Sequence, residues 1–147
     1  MISLEFVEDI RAFNRSYTKV LGLLNSSYLD SDFSLTETRV LFEIYSRNGC
    51  TANDLCSALD LDKGYMSRII RKFADAGLLS RTVSESDGRA QRILLTGSGK
   101  KVIGQMIDRS NAQIRSLFSS LSDEELQEVH SAITTIKRCI TEQSERK

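Results

Sequence analysis

Three features of this 147-residue sequence predict a mainly α fold carrying one small β-hairpin. Proline is absent, so no helix is interrupted by a missing backbone donor. Apolar residues recur at alternating gaps of three and four over long stretches at both ends of the chain, the spacing of one helix face. One place only, residues 79–95, sets two short apolar runs on either side of Ser86-Asp87-Gly88, which is a hairpin signal.

The first helix is predicted over residues 4–24, where Phe6, Ile10, Phe13, Tyr17, Val20 and Leu24 form one stripe. The loop SSYLDSDFS follows. Ser34 or Thr36 is expected to cap a second helix over residues 35–47, ending at Asn48-Gly49, with Val40, Leu41, Ile44 and Tyr45 on its apolar face. Thr51 opens a short helix, TANDLCSALDL, in which Asp54 gives a weaker version of the capping box and Leu55 and Leu59 face the core. After a break at Leu61-Asp62, GYMSRIIRKFADAG turns Met66, Ile69, Ile70 and Phe73 to one side. Lys63, Ser67, Arg68, Arg71 and Lys72 lie mainly on the other, and Gly77 stops the helix. The hairpin strands are expected at 79–83 and 90–95. A long helix then uses Ile103, Ile107, Ile114, Leu117 and Leu121, with Ser110 on the same line. The last is capped by Ser122 with Glu125. It continues through Leu126, Val129, Ile133, Ile136 and Ile140, the period of a coiled-coil-like seam. That seam faces either its own chain or a second copy, and helices of this length commonly supply dimer interfaces.

Composition narrows the function. No apolar run approaches the roughly 20 residues of a membrane span. The N-terminus MISLEFVEDIR has neither the basic start nor the apolar core of a signal peptide, so a cytoplasmic protein is expected. Cys50, Cys56 and Cys139 are odd in number and lack CxxC spacing, and His130 is the only histidine. A disulfide framework, a structural zinc site and a His-based triad are therefore not expected, nor is any cofactor. Without a glycine-rich phosphate loop or a catalytic pair at usable spacing, the chain does not read as an enzyme. The net charge of zero hides a segregation. Residues 1–60 carry 5 basic and 9 acidic groups, residues 61–101 carry 9 and 4, and residues 102–147 carry 6 and 7. The middle third is a basic island, whose leading candidate partners are polyanions; the plainer reading is a solvated surface.

Helix, short helix, basic helix and hairpin make the order of a winged helix-turn-helix. Two helices joined by a tight turn brace each other, so the second can be offered to a major groove. Its polar side carries Lys63, Tyr65, Ser67, Arg68, Arg71 and Lys72, groups suited to guanine edges and phosphates. The wing, residues 84–91, would place Arg89 in a narrow, electronegative minor groove. Asp87 would brace that guanidinium against its large rotamer entropy. Arg92, three residues on, extends the basic set. Double-stranded DNA is the expected partner.

At these residues the chain also resembles a family. SDGRAQRILLT matches the D-x-R…LT wing signature of MarR-type transcription regulators, with Asp87, Arg89, Leu95 and Thr96 filling its positions. SLTETRVLFEI, TANDLCSALDLDKGYMSRIIRKFADAGLLSR and the long terminal helices resemble the rest of that domain, over about residues 4–143. The resemblance implies a homodimer of triangular outline in a single MarR-like domain, residues 1–147. Residues 1–30 and 100–147 would supply the dimerisation helices and residues 35–97 the winged helix-turn-helix lobe. Such a dimer would bind a pseudo-palindromic operator, most simply as a repressor. IRAFNRSYTKVLGLLN and DLDKGYMSRIIRKF look closer still to the N-terminal domain of a subgroup fused to an acetyltransferase. Lys147 leaves no room for that second domain, so a free-standing relative or a truncated piece is expected. The resemblance also implies a small-molecule effector pocket between lobe and dimer base, with Phe13, Tyr17, Tyr28, Phe33, Arg39 and Phe42 as candidate lining. As a plainer alternative these aromatics are core and Arg39 pairs with an acidic neighbour. Relatives that sense oxidants usually place the reactive cysteine near the first helix, where this chain has none, so redox sensing is not expected. The rival functions are a protein-interaction module whose basic face meets an acidic partner, and the regulatory half of an acetyltransferase.

Overall fold

The computed structural model describes residues 1–24, 28–83 and 91–145. Its elements run α1 (Leu4–Val20), α2 (Leu35–Ser46), α3 (Ala52–Leu59), α4 (Lys63–Asp75), β1 (Leu79–Val83), β2 (Gln91–Leu95), α5 (Gly97–Leu117) and α6 (Asp123–Glu145). Two compact units divide the chain, Met1–Ser110 and Asn111–Lys147, with the boundary inside α5.

In the first unit each helix begins where a side-chain oxygen can accept an orphan N–H. Ser3 caps α1 by accepting the Phe6 N–H at 3.1 Å. That helix closes at Leu21, before Gly22 at φ 68°, so Leu24 lies beyond it. Of the two candidate caps for α2, Ser34 takes the role, accepting the Glu37 N–H at 3.1 Å. Asn48 and Gly49 close α2 with φ of 50° and 97°. At α3 the capping box is complete: the Thr51 N–H donates to Asp54 Oδ2 at 2.8 Å and the Asp54 N–H to Thr51 Oγ1 at 3.2 Å. Those bonds from Thr51 hold the Asp54 carboxyl below the usual carboxylate range. Asp62 caps α4, accepting the Tyr65 N–H at 2.9 Å.

The Asp54 shift fixes a sign. A carboxyl with a lowered folded pKa contributes stability above its unfolded pKa, and that contribution is lost as pH falls through the folded value. Thr51→Ala is expected to cost about 1 kcal/mol at neutral pH, as cap losses do. The destabilisation caused by Asp54→Asn is expected to shrink as the medium is acidified into the carboxylate range. Urea titrations of both variants across that range check this; an Asp54→Asn penalty that grows on acidification is the opposite result.

The hairpin pairs β1 and β2 antiparallel, with Leu79 opposite Leu95 and Val83 opposite Gln91. A third piece joins it at one residue. Cys50 and Ile93 exchange backbone bonds of 3.0 and 2.7 Å, pinning the sheet to the turn between α2 and α3. Thr96 explains why the "LT" ending sits where it does. It is the N-cap of α5: its Oγ1 accepts the Gly99 N–H at 3.1 Å, donates to the Gly77 carbonyl at 2.6 Å, and its N–H bonds the Leu78 carbonyl at 3.0 Å. One side chain thus ends the hairpin, starts α5 and ties both to the end of α4. Gly99 is required beside it, because a Cβ there would lie 2.2 Å from the Leu78 carbonyl oxygen.

The core forms under this arrangement. Val40, Leu41, Ile44, Leu55, Met66, Phe73 and Ile103 are fully buried, and Phe33 packs edge-on against Phe73 with ring centroids 5.8 Å apart. All four apolar residues expected on the inner face of α4 are buried. In contrast, α1 has no buried residue, and Phe6, Ile10, Phe13, Tyr17 and Val20 stand exposed along it.

The second unit is the end of α5, a turn and α6. The Ser122–Glu125 capping box forms in both directions, at 2.8 and 3.2 Å. Leu121 falls in the turn rather than on α5. None of residues 123–142 is buried, and Leu126, Ile133, Ile136 and Ile140 are exposed. Among the described residues, no helix is long and apolar enough to cross a membrane.

Candidate nucleic-acid interface

The amphipathic pattern of α4 is what aims its cations. Burial of Met66, Ile69, Ile70 and Phe73 leaves Lys63, Ser67, Arg68, Arg71 and Lys72 exposed, with Tyr65 half-buried between the two faces. The Arg68 guanidinium lies 5.6 Å from the centre of the Tyr65 ring. This cation–π contact limits its rotamers while leaving its donors open. Lys63 and Arg71 have no ion-pair partner among the described residues. Lys72 is different: its ammonium bonds the carboxylate of Glu37 near the start of α2, the less exposed partner of the two.

A cleft of about 380 Å³ lies between the start of α3, the start of α4 and the hairpin. Its rim is polar, with Thr51, Asn53, Lys63, Ser67, Arg81 and Gln91; Cys56, Ile70 and Ile93 contribute its floor. Arg81, Asn53 and Thr51 are not among the binding residues that the sequence singles out, and Gln91 is there only as the end of the wing. Strand alternation was the available signal: Arg81 pairs with Ile93 and Val83 with Gln91, so all four project on one side of the sheet. Arg81, like Lys63, has no ion-pair partner among the described residues. Arg92 belongs to the opposite side and donates to the Asn48 carbonyl at 3.0 Å. Asp87 and Arg89, with the rest of the turn at 84–90, lie outside the described residues.

The six candidate effector residues take ordinary contacts. Phe13 and Tyr17 stack on each other along α1, with centroids 5.3 Å apart. Tyr28 and Phe33 pack against the core, Arg39 pairs with Glu43 at 3.5 Å, and Phe42 is exposed. None of them lines the cleft above, or a second of about 220 Å³ between the end of α2, β2 and Lys100. Arg109, which nothing in the sequence singles out, donates to the carbonyls of Leu29 and Asp30 at 3.2 and 3.0 Å. It thereby holds two left-handed residues, φ 53° and 51°, in the segment that leads to α2. Of the cysteines, Cys50 is buried, and burial, aided by the Asp54 carboxylate, pushes its thiol above the usual range. Cys56 is half-buried and Cys139 exposed. No group of His, Cys, Asp or Glu among the described residues could hold a metal ion.

A capped short helix, a second helix offering cations from one face, and a hairpin pinned to the turn before them define a winged helix-turn-helix protein. Residues 31–90 match the family model described as MarR family, and the fold is that of MarR-type winged-helix structures. It is similar to the DNA complex of FabT from Streptococcus pneumoniae, at 18% identity and a TM-score of 0.78, over 92% of this chain and 98% of that one. It is also similar to BpsR of Bordetella bronchiseptica, whose structure describes regulation of DNA binding by 6-hydroxynicotinic acid, at 18% identity and a TM-score of 0.66, over 86% and 91%. In sequence it is 23% identical over 128 residues to the HTH-type transcriptional regulator YfiV of Bacillus subtilis, 84% of this chain and 80% of that protein.

Proposed function

We propose that this protein binds double-stranded DNA as a homodimer and regulates transcription, acting as a repressor at a pseudo-palindromic operator. One observation carries the reading. Lys63, Arg71 and Arg81 stand without ion-pair partners among the described residues, and Arg68 is steadied on Tyr65, all on α4 and the adjoining face of the hairpin. Unpaired cations on the polar face of a braced helix are what phosphate and guanine recognition requires. On this reading α4 enters the major groove, with Lys63, Tyr65, Ser67, Arg68 and Arg71 facing it. Arg89, braced by Asp87, serves the flanking minor groove.

The exposed apolar stripes of α1 and α6 support the two-chain assembly, with residues 1–30 and 100–147 as its dimerisation segments and residues 35–97 as the DNA-binding lobe. Two-fold symmetry then sets half-sites about 34–36 Å apart, or a multiple of that. The BpsR likeness supports a small-molecule effector, with the aromatic residues of α1 and α2 as its candidate contacts.

Arg68→Ala is expected to weaken operator binding and relax base preference, by about 1–3 kcal/mol at the position it reads. A titration at fixed salt against operator and base-substituted duplexes checks this; unchanged affinity and preference would sink the assignment. Glu37→Gln tests the paired lysine. Freed from Glu37, Lys72 is expected to engage phosphate, raising affinity at low salt and steepening the log–log salt dependence by about 0.9. An unchanged slope would mean Lys72 points elsewhere on the complex.

A further inference from the structure

We infer that Arg92 positions the wing and does not itself touch DNA. The inference rests on the DNA-binding reading above and assigns one basic residue a different task within it.

Arg92 is opposite Thr82 and Ile93 opposite Arg81. Successive side chains on a strand point to opposite faces. Ile93 and Arg81 line the cleft beside α3 and α4, so Arg92 and Leu94 project on the other side of the sheet. What they meet there is the turn that closes α2. A Cβ built on Gly49 would lie 2.5 Å from Leu94 Cδ2 and 2.9 Å from Arg92 Nε. The absence of a side chain at Gly49, together with its φ of 97°, lets both residues lie directly over the backbone. From this position Arg92 Nη2 donates to the Asn48 carbonyl at 3.0 Å.

That carbonyl is a natural target for a cation. It belongs to the turn at the C-terminus of α2, the partially negative end of the helix, where α2 has no basic residue of its own in the last turn. The bond is charge-assisted and anchors β2 beside the backbone bridge between Cys50 and Ile93. Three contacts in consecutive residues, from Arg92, Ile93 and Leu94, therefore fix the hairpin on the turn that precedes α3.

Two readouts separate positioning from contact. The first is amide hydrogen exchange on the free protein: Arg92→Ala is expected to speed exchange at the Cys50 and Ile93 amides, and unchanged rates there would overturn the inference. The second is a double-mutant cycle on DNA from the protein's own upstream region. Arg92→Ala alone is expected to weaken binding roughly two- to tenfold, the range of one net hydrogen bond. In an Arg89→Ala background it is expected to add less than about twofold, because both residues act through the same wing. Losses that multiply in the double variant, with the salt slope falling by a further ~0.9, would make Arg92 a phosphate contact and overturn the inference. A wild-type protein that binds no DNA would defeat the DNA-binding reading instead, and the exchange measurement would still decide whether Arg92 anchors the hairpin.

Discussion

Ile136→Asp is expected to halve the solution mass of the protein and to lower its operator affinity by about 100-fold or more. Ile136 sits in the α6 seam, half exposed in the single chain at 49% of its surface. In an isolated chain an aspartate there would be solvated and nearly harmless, since an exposed helix position changes stability by only about 0.5 kcal/mol. In an interface between two copies, the same carboxylate would be buried twice against apolar neighbours without a partner, which costs several kcal/mol. Two linked lobes gain about 10²–10⁴ in avidity over one, and that factor disappears with the dimer. Sedimentation velocity and a DNA titration on the same sample separate the cases. An unchanged mass with unchanged binding would assign the seam some other partner.

Phe73→Ala is expected to destabilise the first unit by about 3–5 kcal/mol, the usual cost of truncating a buried aromatic residue. Phe73 has no exposed surface and meets Phe33 edge-on at 5.8 Å, so its loss removes a specific ring contact as well as volume. It is also the last buried residue of the α4 face. The helix that carries Lys63, Arg68 and Arg71 is therefore held down from its far end by this ring. A marginally stable domain of this size has only about 5–15 kcal/mol in total, so a fall in midpoint temperature of roughly 10 °C or more is anticipated. Thermal unfolding followed by circular dichroism checks it. A loss below about 1 kcal/mol would mean that the Phe33–Phe73 packing is not what holds α4 in place.

The sequence was a good guide wherever a period or a cap governed structure. The inner face of α4 follows from 3.6-residue spacing, and Met66, Ile69, Ile70 and Phe73 are all buried. The caps at Ser34, Thr51 and Ser122 follow from short side chains that compete for orphan N–H groups. Asp54 exceeded expectation, because a carboxylate one carbon shorter than glutamate still reaches back to the Thr51 N–H.

Contacts distant in sequence were less legible. Nothing near Lys72 in the chain announces Glu37, 35 positions earlier, and nothing near Arg92 announces the Asn48 carbonyl, 44 positions earlier. The sequence places both in the DNA-binding set, because composition reports charge and not its partner. Arg81 was passed over for the opposite reason. It stands in a predicted strand, and only the pairing with Ile93 places it on the cleft side. The aromatic residues 13, 17, 28, 33 and 42 were grouped by type, whereas folding distributes them between a stack on α1, the core edge and the surface.

The central claim is that the unpaired cations of α4 and the hairpin read duplex DNA. Its most direct test is a fluorescence-anisotropy titration of labelled DNA from the protein's own upstream region, at low and moderate salt, against random DNA of equal length. Tight binding that prefers the upstream fragment and weakens steeply with salt is the predicted result. Equal, weak binding to both fragments, or binding indifferent to salt, would contradict it and would leave the basic face to an acidic protein partner.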